Sequence, residues 1–299
     1  MTEADSSAQR EVIEFLSRPE PYGADIGKVE RIDTHGAIVF LAGTRAYKLK
    51  RAVRFPYMDF STRERRRAMC EAEIAVNRRI APMIYLGVEK VTREAGRLRL
   101  GGSGEALDWV VVMRRFDQAD LFDKMAEAGR LNADLIGELA RGVAEFHRSA
   151  EIRSNYGGQA GMAWVVDGNR TGLLEGVPGV FRSQDVDAFI EGCRRWFETL
   201  GPLLEDRRRQ GFVRHCHGDL HLRNICLFDG KPVPFDAIEF SEEIATVDVL
   251  YDLAFLLMDL ARYGESRAAN IVLNHYLDLR RAASRPAACA RGIGCGGHV

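Results

Sequence analysis

The chain has 299 residues, of which 46% are hydrophobic and 28% are charged, as is typical of a soluble globular enzyme. Its net charge of −1 argues against nucleic acid or an anionic membrane as a bulk partner. The polar N-terminus has no apolar h-region, and aspartates interrupt the most apolar stretch, residues 244–261, so neither a signal peptide nor a membrane span is expected. A cytoplasmic location with reduced cysteines is therefore the expectation.

Residues 1–115 predict a small lobe made of a β-sheet and one major helix. Strands over residues 36–43 and 45–50 flank a turn and form a predicted hairpin. The charged segment 62–80 predicts the helix, which ends before Pro82. Further strands are predicted at residues 86–92, 98–100 and 108–113.

Residues 116–279 predict a larger and mostly helical lobe. Apolar residues recur with helical spacing over residues 135–146 and 186–200, and a long apolar helix is predicted over residues 247–262. Short strands and loops interrupt the helices at residues 215–240. The whole pattern predicts an α+β chain, with a sheet in its first part and mostly helices in its second.

The last segment, residues 280–299, has a different composition: four Arg, five Ala and four Gly, with no acidic and no aromatic residue. Evolved linkers more often shift toward Ser, Pro, Glu or Lys. No Gly-x-x-x-x-Gly-Lys-Ser/Thr motif occurs in the chain. The sequence therefore predicts a disordered or aberrant tail and a C-terminally truncated product.

The segment 217–224, His-Gly-Asp-Leu-His-Leu-Arg-Asn, carries residue types suited to phosphoryl transfer. That reaction needs a carboxylate to orient the attacking hydroxyl and oxygen ligands for the magnesium on the triphosphate. Asp219 and Asn224 on one tight loop can point into a shared cleft, and Asp236, after the next hairpin, can reach the same metal. A polar turn with caps is the alternative, but the order and spacing favour a kinase-type site.

The stretch 219–255, which includes Asp236-Ala-Ile-Glu-Phe, resembles the aminoglycoside phosphotransferase family, whose members share the protein-kinase fold. The resemblance covers about residues 28–280. It is closest to an uncharacterised bacterial branch that is often fused to a C-terminal P-loop ATPase domain. It implies a bilobal fold, with a small antiparallel-sheet lobe that binds nucleotide and a larger helical lobe that holds the catalytic loop and the acceptor pocket.

The resemblance also assigns roles to the residues of the catalytic segment. It implies that Asp219 is the catalytic base, that His217 belongs to the catalytic group by bracing the loop, and that Asn224 and Asp236 bind magnesium. ATP and Mg²⁺ are the cofactors that it implies.

On the nucleotide side, Ala46-Tyr47-Lys48 matches the kinase strand whose lysine positions the α- and β-phosphates. Lys50 faces the same side of the strand and stays open as the alternative. Both could also be solvated strand lysines. The acidic partner is expected on the helix of residues 62–80, where Glu73 is favoured over Glu71 by its helical facing.

The strand ending at Met113 leads into the predicted hinge, where backbone groups of Met113 to Arg115 are expected to meet adenine. Thr34-His35-Gly36 occupies the place of the nucleotide-covering loop, with a single glycine. Two acids, Asp248 and Asp252, are predicted to be structural, with early positions on a buried helix from which they can accept bonds from the catalytic loop. His147 is predicted to be a hydrogen-bonded core histidine.

No Asp-Phe-Gly and no Ala-Pro-Glu follow the catalytic segment, so little room is left for a regulated activation loop. The segment 147–212 is expected to build an acceptor pocket, as the resemblance implies. The leading hypothesis is an ATP- and magnesium-dependent kinase that phosphorylates a hydroxyl of a small molecule. A nucleotide-binding regulatory module with little turnover is the alternative, and protein phosphorylation is disfavoured.

Overall fold

The computed structural model describes residues 3–284 of the chain. These residues form the two predicted lobes, a smaller one built on an antiparallel sheet and a larger one that is mostly helical. The predicted fold class, an α+β chain with the bilobal arrangement that the resemblance implied, is confirmed. The last helix continues to Ser284, and the rest of the predicted tail, residues 285–299, lies outside the described residues.

The elements of the small lobe follow in chain order as α1 (Glu3–Leu16), β1 (Val29–Asp33), β2 (Ala37–Ala42), β3 (Arg45–Lys50), β4 (Arg54–Phe55), β5 (Met58–Asp59), α2 (Arg63–Asn77), β6 (Tyr85–Glu94), β7 (Arg97–Leu100) and β8 (Glu105–Arg114). Six of the strands form one antiparallel sheet in the order β1-β2-β3-β8-β6-β7, and β4 pairs with β5. Strand β8 therefore lies between β3 and β6, where it links the β2–β3 hairpin to the β6–β7 hairpin.

Alternation along the strands gives the sheet two different faces. On β3, Tyr47 and Leu49 join a core beneath α1 that also contains Val12 and Leu16. Ala46 lies on the opposite face, in a core with residues of α2. The two lysines of β3 share the parity of Ala46, so they extend toward α2.

The elements of the large lobe are α3 (Phe122–Glu127), α4 (Ala133–Ser149), α5 (Gly158–Glu175), α6 (Ser183–Arg209), β9 (Val213–His215), β10 (Ile225–Phe228), β11 (Lys231–Pro234), α7 (Glu242–Ala245), β12 (Thr246–Asp248), α8 (Val249–Arg262) and α9 (Ser266–Ser284). Strands β10 and β11 form a hairpin, and β9 pairs with β12. Helices α3, α4, α8 and α9 enclose the main core of this lobe. Within residues 3–284, no helix combines the length and apolarity needed to cross a bilayer.

The predicted catalytic segment, residues 217–224, and the hairpin after it lie between the cores of the large and the small lobe. Leu220, Leu222 and Ile225 are fully or almost fully buried in the core of the large lobe. The hairpin β10–β11 contributes Cys226, Phe228 and other residues to the core shared with the sheet and α2. One short stretch of chain is therefore packed against both lobes, which fixes the position of the polar residues within it.

We expect a core substitution in α8 to weaken the large lobe strongly. Leu256 is fully buried, whereas Met258 on the same helix is 60% exposed. Leu256→Ala should lower the free energy of unfolding by about 2–5 kcal/mol because the lost methyl groups leave a cavity. Met258→Ala should change it by less than about 0.5 kcal/mol. Urea unfolding of both variants checks this, and equal losses would show that α8 is not packed as described.

Candidate active site

Two lysines and three carboxylates form a continuous chain of ion pairs between β3, α2 and the segment after β11. Glu73 lies at its centre and accepts from Lys48 at 2.9 Å and from Lys50 at 2.6 Å, one lysine on each carboxylate oxygen. Lys48 continues to Asp236 at 2.5 Å. Lys50 continues to Glu239, also at 2.5 Å. The favoured glutamate of α2 is therefore in contact with both candidate lysines.

The alternative glutamate of α2 lies elsewhere. Glu71 is more than half exposed and pairs with Arg67 one turn earlier on the surface of the helix. Glu73 is on the buried face with Cys70, Ile74 and Asn77. Their positions on opposite faces of α2 thus distinguish the two glutamates, because only the buried face of α2 meets β3.

Exposure changes along the chain of ion pairs. The side chains of Glu73, Lys50 and Glu239 are 0%, 1% and 5% exposed, whereas those of Lys48 and Asp236 are 14% and 38% exposed. Burial lowers the pKa of Lys48, but Asp236 and Glu73 outweigh it and raise that pKa well above the ordinary value. Burial likewise raises the pKa of Asp236, but Lys48 outweighs it and lowers that pKa. At neutral pH the pair at the solvent-facing end is therefore fully ionised.

The segment that carries Asp236 is held by side chains of the small lobe. Tyr85 of β6 accepts from the backbone N–H of Asp236 at 3.1 Å. Asn77 at the end of α2 accepts from the N–H of Ala237 at 2.8 Å and donates to its carbonyl at 3.1 Å. Asp236 has a φ of 62°, a left-handed conformation that aspartate tolerates better than most residues. These contacts hold that uncommon conformation in place.

The catalytic segment forms a tight loop closed by side-chain bonds. Asn224 donates from Nδ2 to the backbone oxygen of Asp219 at 3.0 Å and to its Oδ2 at 2.9 Å. His221 Nε2 lies 3.2 Å from the same carboxylate oxygen. Burial raises the pKa of Asp219, but the bonds from His221 and Asn224 outweigh it and lower that pKa, so the carboxylate is ionised at neutral pH.

His217 is fully buried and joins the loop to the Asp236 segment. Its Nε2 lies 2.9 Å from the carbonyl of Phe235, so Nε2 carries the proton, and its Nδ1 accepts from the N–H of Asp219. Burial lowers the pKa of His217, in keeping with a neutral ring. With both nitrogens engaged, His217 is placed to brace the loop. Gly218 follows with a φ of 81°, and a Cβ there would lie 3.1 Å from the Cα of Ala245.

Two carboxylates of helix α8 hold the catalytic loop by accepting hydrogen bonds from its backbone. Asp252 accepts from the N–H groups of His217 at 3.2 Å and Gly218 at 2.8 Å, and Asp259 accepts from Leu222 at 2.8 Å. Burial raises the pKa of Asp252, but the bond from His147 outweighs it and lowers that pKa.

The residues behind Asp252 complete this support. His147 of α4 lies 2.9 Å from Asp252 through Nε2 and 2.9 Å from the hydroxyl of Tyr276 through Nδ1. It is the hydrogen-bonded core histidine that the sequence predicted. Asp248 caps α8 at the N–H of Leu250 and forms a two-pronged ion pair with Arg207. Asp252 thus accepts bonds from the loop as predicted, whereas the bonds to the Asp248 carboxylate come from α8 and α6.

Several supporting residues could not be identified from the sequence. Tyr85, Asp259 and Glu239 each contact a segment far away along the chain, and no local pattern marks such a partner. Asn77 offered the one usable signal, because it shares the helical face of Glu73. Its position on that face predicts that the Asn77 side chain is buried, but it does not predict which backbone group the side chain contacts.

The polar atoms of the loop and the hairpin suit a hard cation. Phe235 donates its N–H to the backbone oxygen of Asn224 at 2.8 Å, so Asn224 and Asp236 lie together at the open end of the β10–β11 hairpin. Asn224 uses Nδ2 toward Asp219, which leaves an amide oxygen as its metal-ligating atom. Carboxylate and amide oxygens are the ligands that Mg²⁺ takes in proteins. The residues present therefore fit a magnesium site.

The predicted hinge is only partly open to a ligand. Met113 is buried in β8, opposite Ala46 on one side and Tyr85 on the other. Arg115 donates its backbone N–H to the carbonyl of Thr44 at 2.9 Å, and its guanidinium pairs with Glu30 of β1. The expectation that backbone groups of Met113 to Arg115 meet adenine stays a prediction, and the Arg115 amide is already engaged because pairing with the β2–β3 turn continues past the end of β8. An adenine contact at Arg115 would use its carbonyl or its side chain.

The predicted nucleotide-covering loop is a tight turn between β1 and β2. Thr34 accepts from the N–H of Ala37 at 3.0 Å. A Cβ on Gly36 would lie 2.9 Å from the Cε of Met58, so a larger residue there would require the flexible Met58 side chain to shift. The loop is short, and it lies at the end of β2 opposite Lys50.

A cavity of about 180 Å³ lies in the large lobe. Its walls come from α5, α6 and the start of α8, and they include Tyr156, Trp164, Glu243, Thr246 and Tyr251. The N–H of Cys216 donates to the carbonyl of Ala245 at 2.8 Å, which places the wall at residues 243–248 directly against the loop that carries Asp219. Residues within 155–165 and Leu204, in the segment expected to build an acceptor pocket, therefore line a cavity, and the residues of the loop 217–224 are not among its walls.

Comparisons with known proteins give relatives of unassigned function. No protein-family model matches the chain. Uncharacterised proteins of Mycobacterium bovis and Mycobacterium tuberculosis are 32% identical to it over 254 residues, which is 82% of this chain and 48% of each relative. The chain thus spans about half the length of the curated relatives it matches.

Similar solved structures include three phosphotransferases. A choline/ethanolamine kinase family protein from Mesorhizobium loti has a TM-score of 0.47 at 15% identity, covering 91% of this chain and 76% of that chain. An ethanolamine kinase from Plasmodium vivax has a TM-score of 0.48 at 14% identity, covering 93% and 80%. An ADP-bound aminoglycoside phosphotransferase has a TM-score of 0.42 at 12% identity, covering 96% and 93%. At these scores the likeness is distant, and the fold is established by the strand order and contacts of the chain itself.

We expect the bond between His221 and Asp219 to be visible in the titration of His221. The hydrogen bond to Asp219 raises the pKa of His221 above its ordinary value. Asp219→Asn should return it toward about 6.5, the value of an unperturbed histidine. Because the folded-state pKa is the higher one, the pair's stabilising effect is complete below the unfolded-state pKa and is lost as pH rises through the folded-state pKa.

Proton NMR titration of the His221 ring measures this shift. The matched control is Asp229→Asn, which changes an exposed aspartate at the β10–β11 turn and should leave the His221 titration as in the wild type. An unchanged His221 pKa in Asp219→Asn would contradict the bond.

Proposed function

We propose that this chain is a phosphotransferase of the aminoglycoside phosphotransferase family, which transfers the γ-phosphate of ATP to a hydroxyl group of a small molecule with the help of Mg²⁺. The observation that carries the proposal is the position of Lys48. Its ammonium contacts Glu73 and Asp236 at once, at the solvent-facing end of the chain of ion pairs. Kinases use a strand lysine held by a helix glutamate to position phosphates, beside a metal-binding aspartate.

Each polar residue of the site has a role that follows from its contacts. Asp219 accepts the proton of the attacking hydroxyl, since its carboxylate is ionised and partly exposed. Asn224 and His221 hold that carboxylate in one orientation. Lys48 binds phosphate oxygens, while Glu73 keeps its ammonium charged and aimed at the cleft. His217 keeps the loop and the Asp236 segment in register through its two ring nitrogens.

Asn224 and Asp236 would hold the magnesium ion. When bound, magnesium supplies positive charge against the oxygens of the β- and γ-phosphates. The loop contributes an amide oxygen and the segment after β11 contributes a carboxylate. The metal would therefore join the two segments that His217 already braces.

A small acceptor is favoured over a protein by two features. Helix α7 begins at Glu242, so the chain turns into the large lobe soon after Asp236 and has no long activation segment there. The cavity between α5, α6 and the start of α8 is bounded in part by aromatic and acidic side chains and has a volume of about 180 Å³. This volume suits a small molecule, because it is below that of typical drug-sized pockets of about 300–1,000 Å³.

The proposal predicts that Asp219 is needed for turnover but not for nucleotide binding. Asp219→Asn should lower the rate of phosphate transfer, or of slow ATP hydrolysis, by at least about 100-fold because a general base is lost. The ATP dissociation constant should stay near the wild-type value. Turnover is followed by ³¹P NMR with a panel of small alcohols, and binding is measured by calorimetry.

Asp229→Asn serves as the matched control and should keep the wild-type rate, because Asp229 lies on the exposed β10–β11 turn. If Asp219→Asn and wild type turn over ATP at equal rates, the catalytic assignment is wrong. If the wild type binds ATP but transfers no phosphate to any acceptor or to water, the regulatory-module alternative replaces the proposal.

A further inference from the structure

The two ends of the chain of ion pairs differ in their access to solvent. Lys48 and Asp236 form the outer pair, and the Asp236 side chain is 38% exposed. Lys50 and Glu239 form the inner pair, and their side chains are 1% and 5% exposed. Both pairs connect β3 to the same short segment, residues 236–239, and both lysines share Glu73.

The inner lysine has no route to a phosphate. Its ammonium lies 2.6 Å from Glu73, 2.5 Å from Glu239 and 4.9 Å from the centre of the Phe60 ring. These partners surround a side chain that is almost completely buried. Of the two lysines that the sequence left open, Lys48 is therefore the one placed to meet a nucleotide, and Lys50 has a different task.

The inner pair holds the far end of the metal-binding segment. At the near end, Tyr85 and Asn77 fix the backbone of Asp236 and Ala237. The next residue, Ile238, donates its N–H to the carbonyl of His217 at 2.9 Å. Glu239 closes the segment through Lys50. Without that last contact, the segment would lose its side-chain attachment to β3 whenever the Lys48–Asp236 contact opens.

We propose that Glu239 is a positioning residue that acts through Lys50 to keep Asp236 aimed at the metal when Lys48 and Asp236 turn from each other toward nucleotide and magnesium. This inference rests on the proposed function. The outer pair consists of the residues that exchange partners during the reaction cycle. The inner pair keeps its partners and holds the segment 236–239 at a fixed distance from β3.

The expected size of the effect follows from the place of Glu239 behind a metal ligand. Residues that orient a ligand from outside the coordination sphere typically contribute about 10- to 100-fold in metal affinity or activity. The measurable quantity is the magnesium gain, defined as the ratio of the ATP dissociation constant in EDTA to that in Mg²⁺. Glu239 should affect this gain and leave the magnesium-free affinity alone, because it does not reach the nucleotide.

Calorimetric titration with ATP, in EDTA and in Mg²⁺, tests the inference on the full chain. Wild type should show a magnesium gain, and Asp236→Ala should lose it. Glu239→Gln, which keeps the shape of the side chain but removes its charge, should lower the gain by about 10-fold or more with unchanged affinity in EDTA. The matched control Glu242→Gln alters an exposed glutamate three residues on and should keep the wild-type gain.

A second variant covers the case in which Glu239→Gln does not fold. A buried lysine left with too few carboxylates is strongly destabilising, whereas neutralising both partners removes the uncompensated charge. Lys50→Gln/Glu239→Gln should therefore fold and show the same reduced magnesium gain. Thermal unfolding of each variant verifies that it is folded before the titrations.

The outcomes separate the inference from the proposed function. A wild-type gain in the folded Glu239 variants overturns the positioning role and leaves the proposed function intact. An equal loss of affinity in EDTA and in Mg²⁺ also overturns it, since general damage to the lobe has that signature. If wild type itself shows no magnesium gain, the proposed magnesium-dependent function fails, and the role of Glu239 fails with it.

Discussion

The site depends on one buried carboxylate, Glu73, which is shared between two lysines. A fully buried charge is stable only if it is paired, and removing one partner from a buried pair costs about 3–5 kcal/mol. Glu73 is paired with both lysines of β3, and the lysines in turn pair with the carboxylates of the segment after β11. These ion pairs hold the sheet, α2 and the segment 236–239 at fixed distances from one another.

The functional segments are supported from both lobes by different kinds of bond. In the large lobe, the carboxylates of α8 accept hydrogen bonds from backbone N–H groups of the catalytic loop. His147 forms a further hydrogen bond with Asp252 and is itself bonded to Tyr276. In the small lobe, Asn77 and Tyr85 accept hydrogen bonds from the backbone of the segment that carries Asp236. His217 joins the two segments. The proposed base and the proposed metal ligands are thus held by buried networks, while the carboxylates of Asp219 and Asp236 remain partly exposed.

The sequence predicted the local features of this arrangement well. Strand period 2 places both lysines on one face of β3, and helical period 3.6 separates Glu73 from Glu71 on α2. The order of Asp219, Asn224 and Asp236 indicated a loop followed by a hairpin, and the structure has β10 and β11 there. These predictions succeeded because each depends on neighbours only a few residues away.

The partners across long sequence distances could not be predicted in this way. The bond between Asn77 and Ala237 joins residues 160 positions apart, and that between Asp236 and Tyr85 joins residues 151 apart. The engaged amide of Arg115 was missed for the same reason, because pairing at the end of β8 depends on the β2–β3 turn. Periodicity predicts that such groups are buried, but only the tertiary fold decides which group they meet.

The central claim is that Lys48, at the solvent-facing end of the ion-pair chain, binds the phosphates of a nucleotide. Calorimetry of wild type and Lys48→Met with ATP and with adenosine tests it most directly. Loss of a charge-assisted bond of about 1.5–3 kcal/mol should weaken ATP binding by at least about 10-fold. Adenosine, which has no phosphate, should bind both proteins equally. Equal ATP affinity in the two proteins, or a wild type that binds ATP no more tightly than adenosine, would contradict the claim.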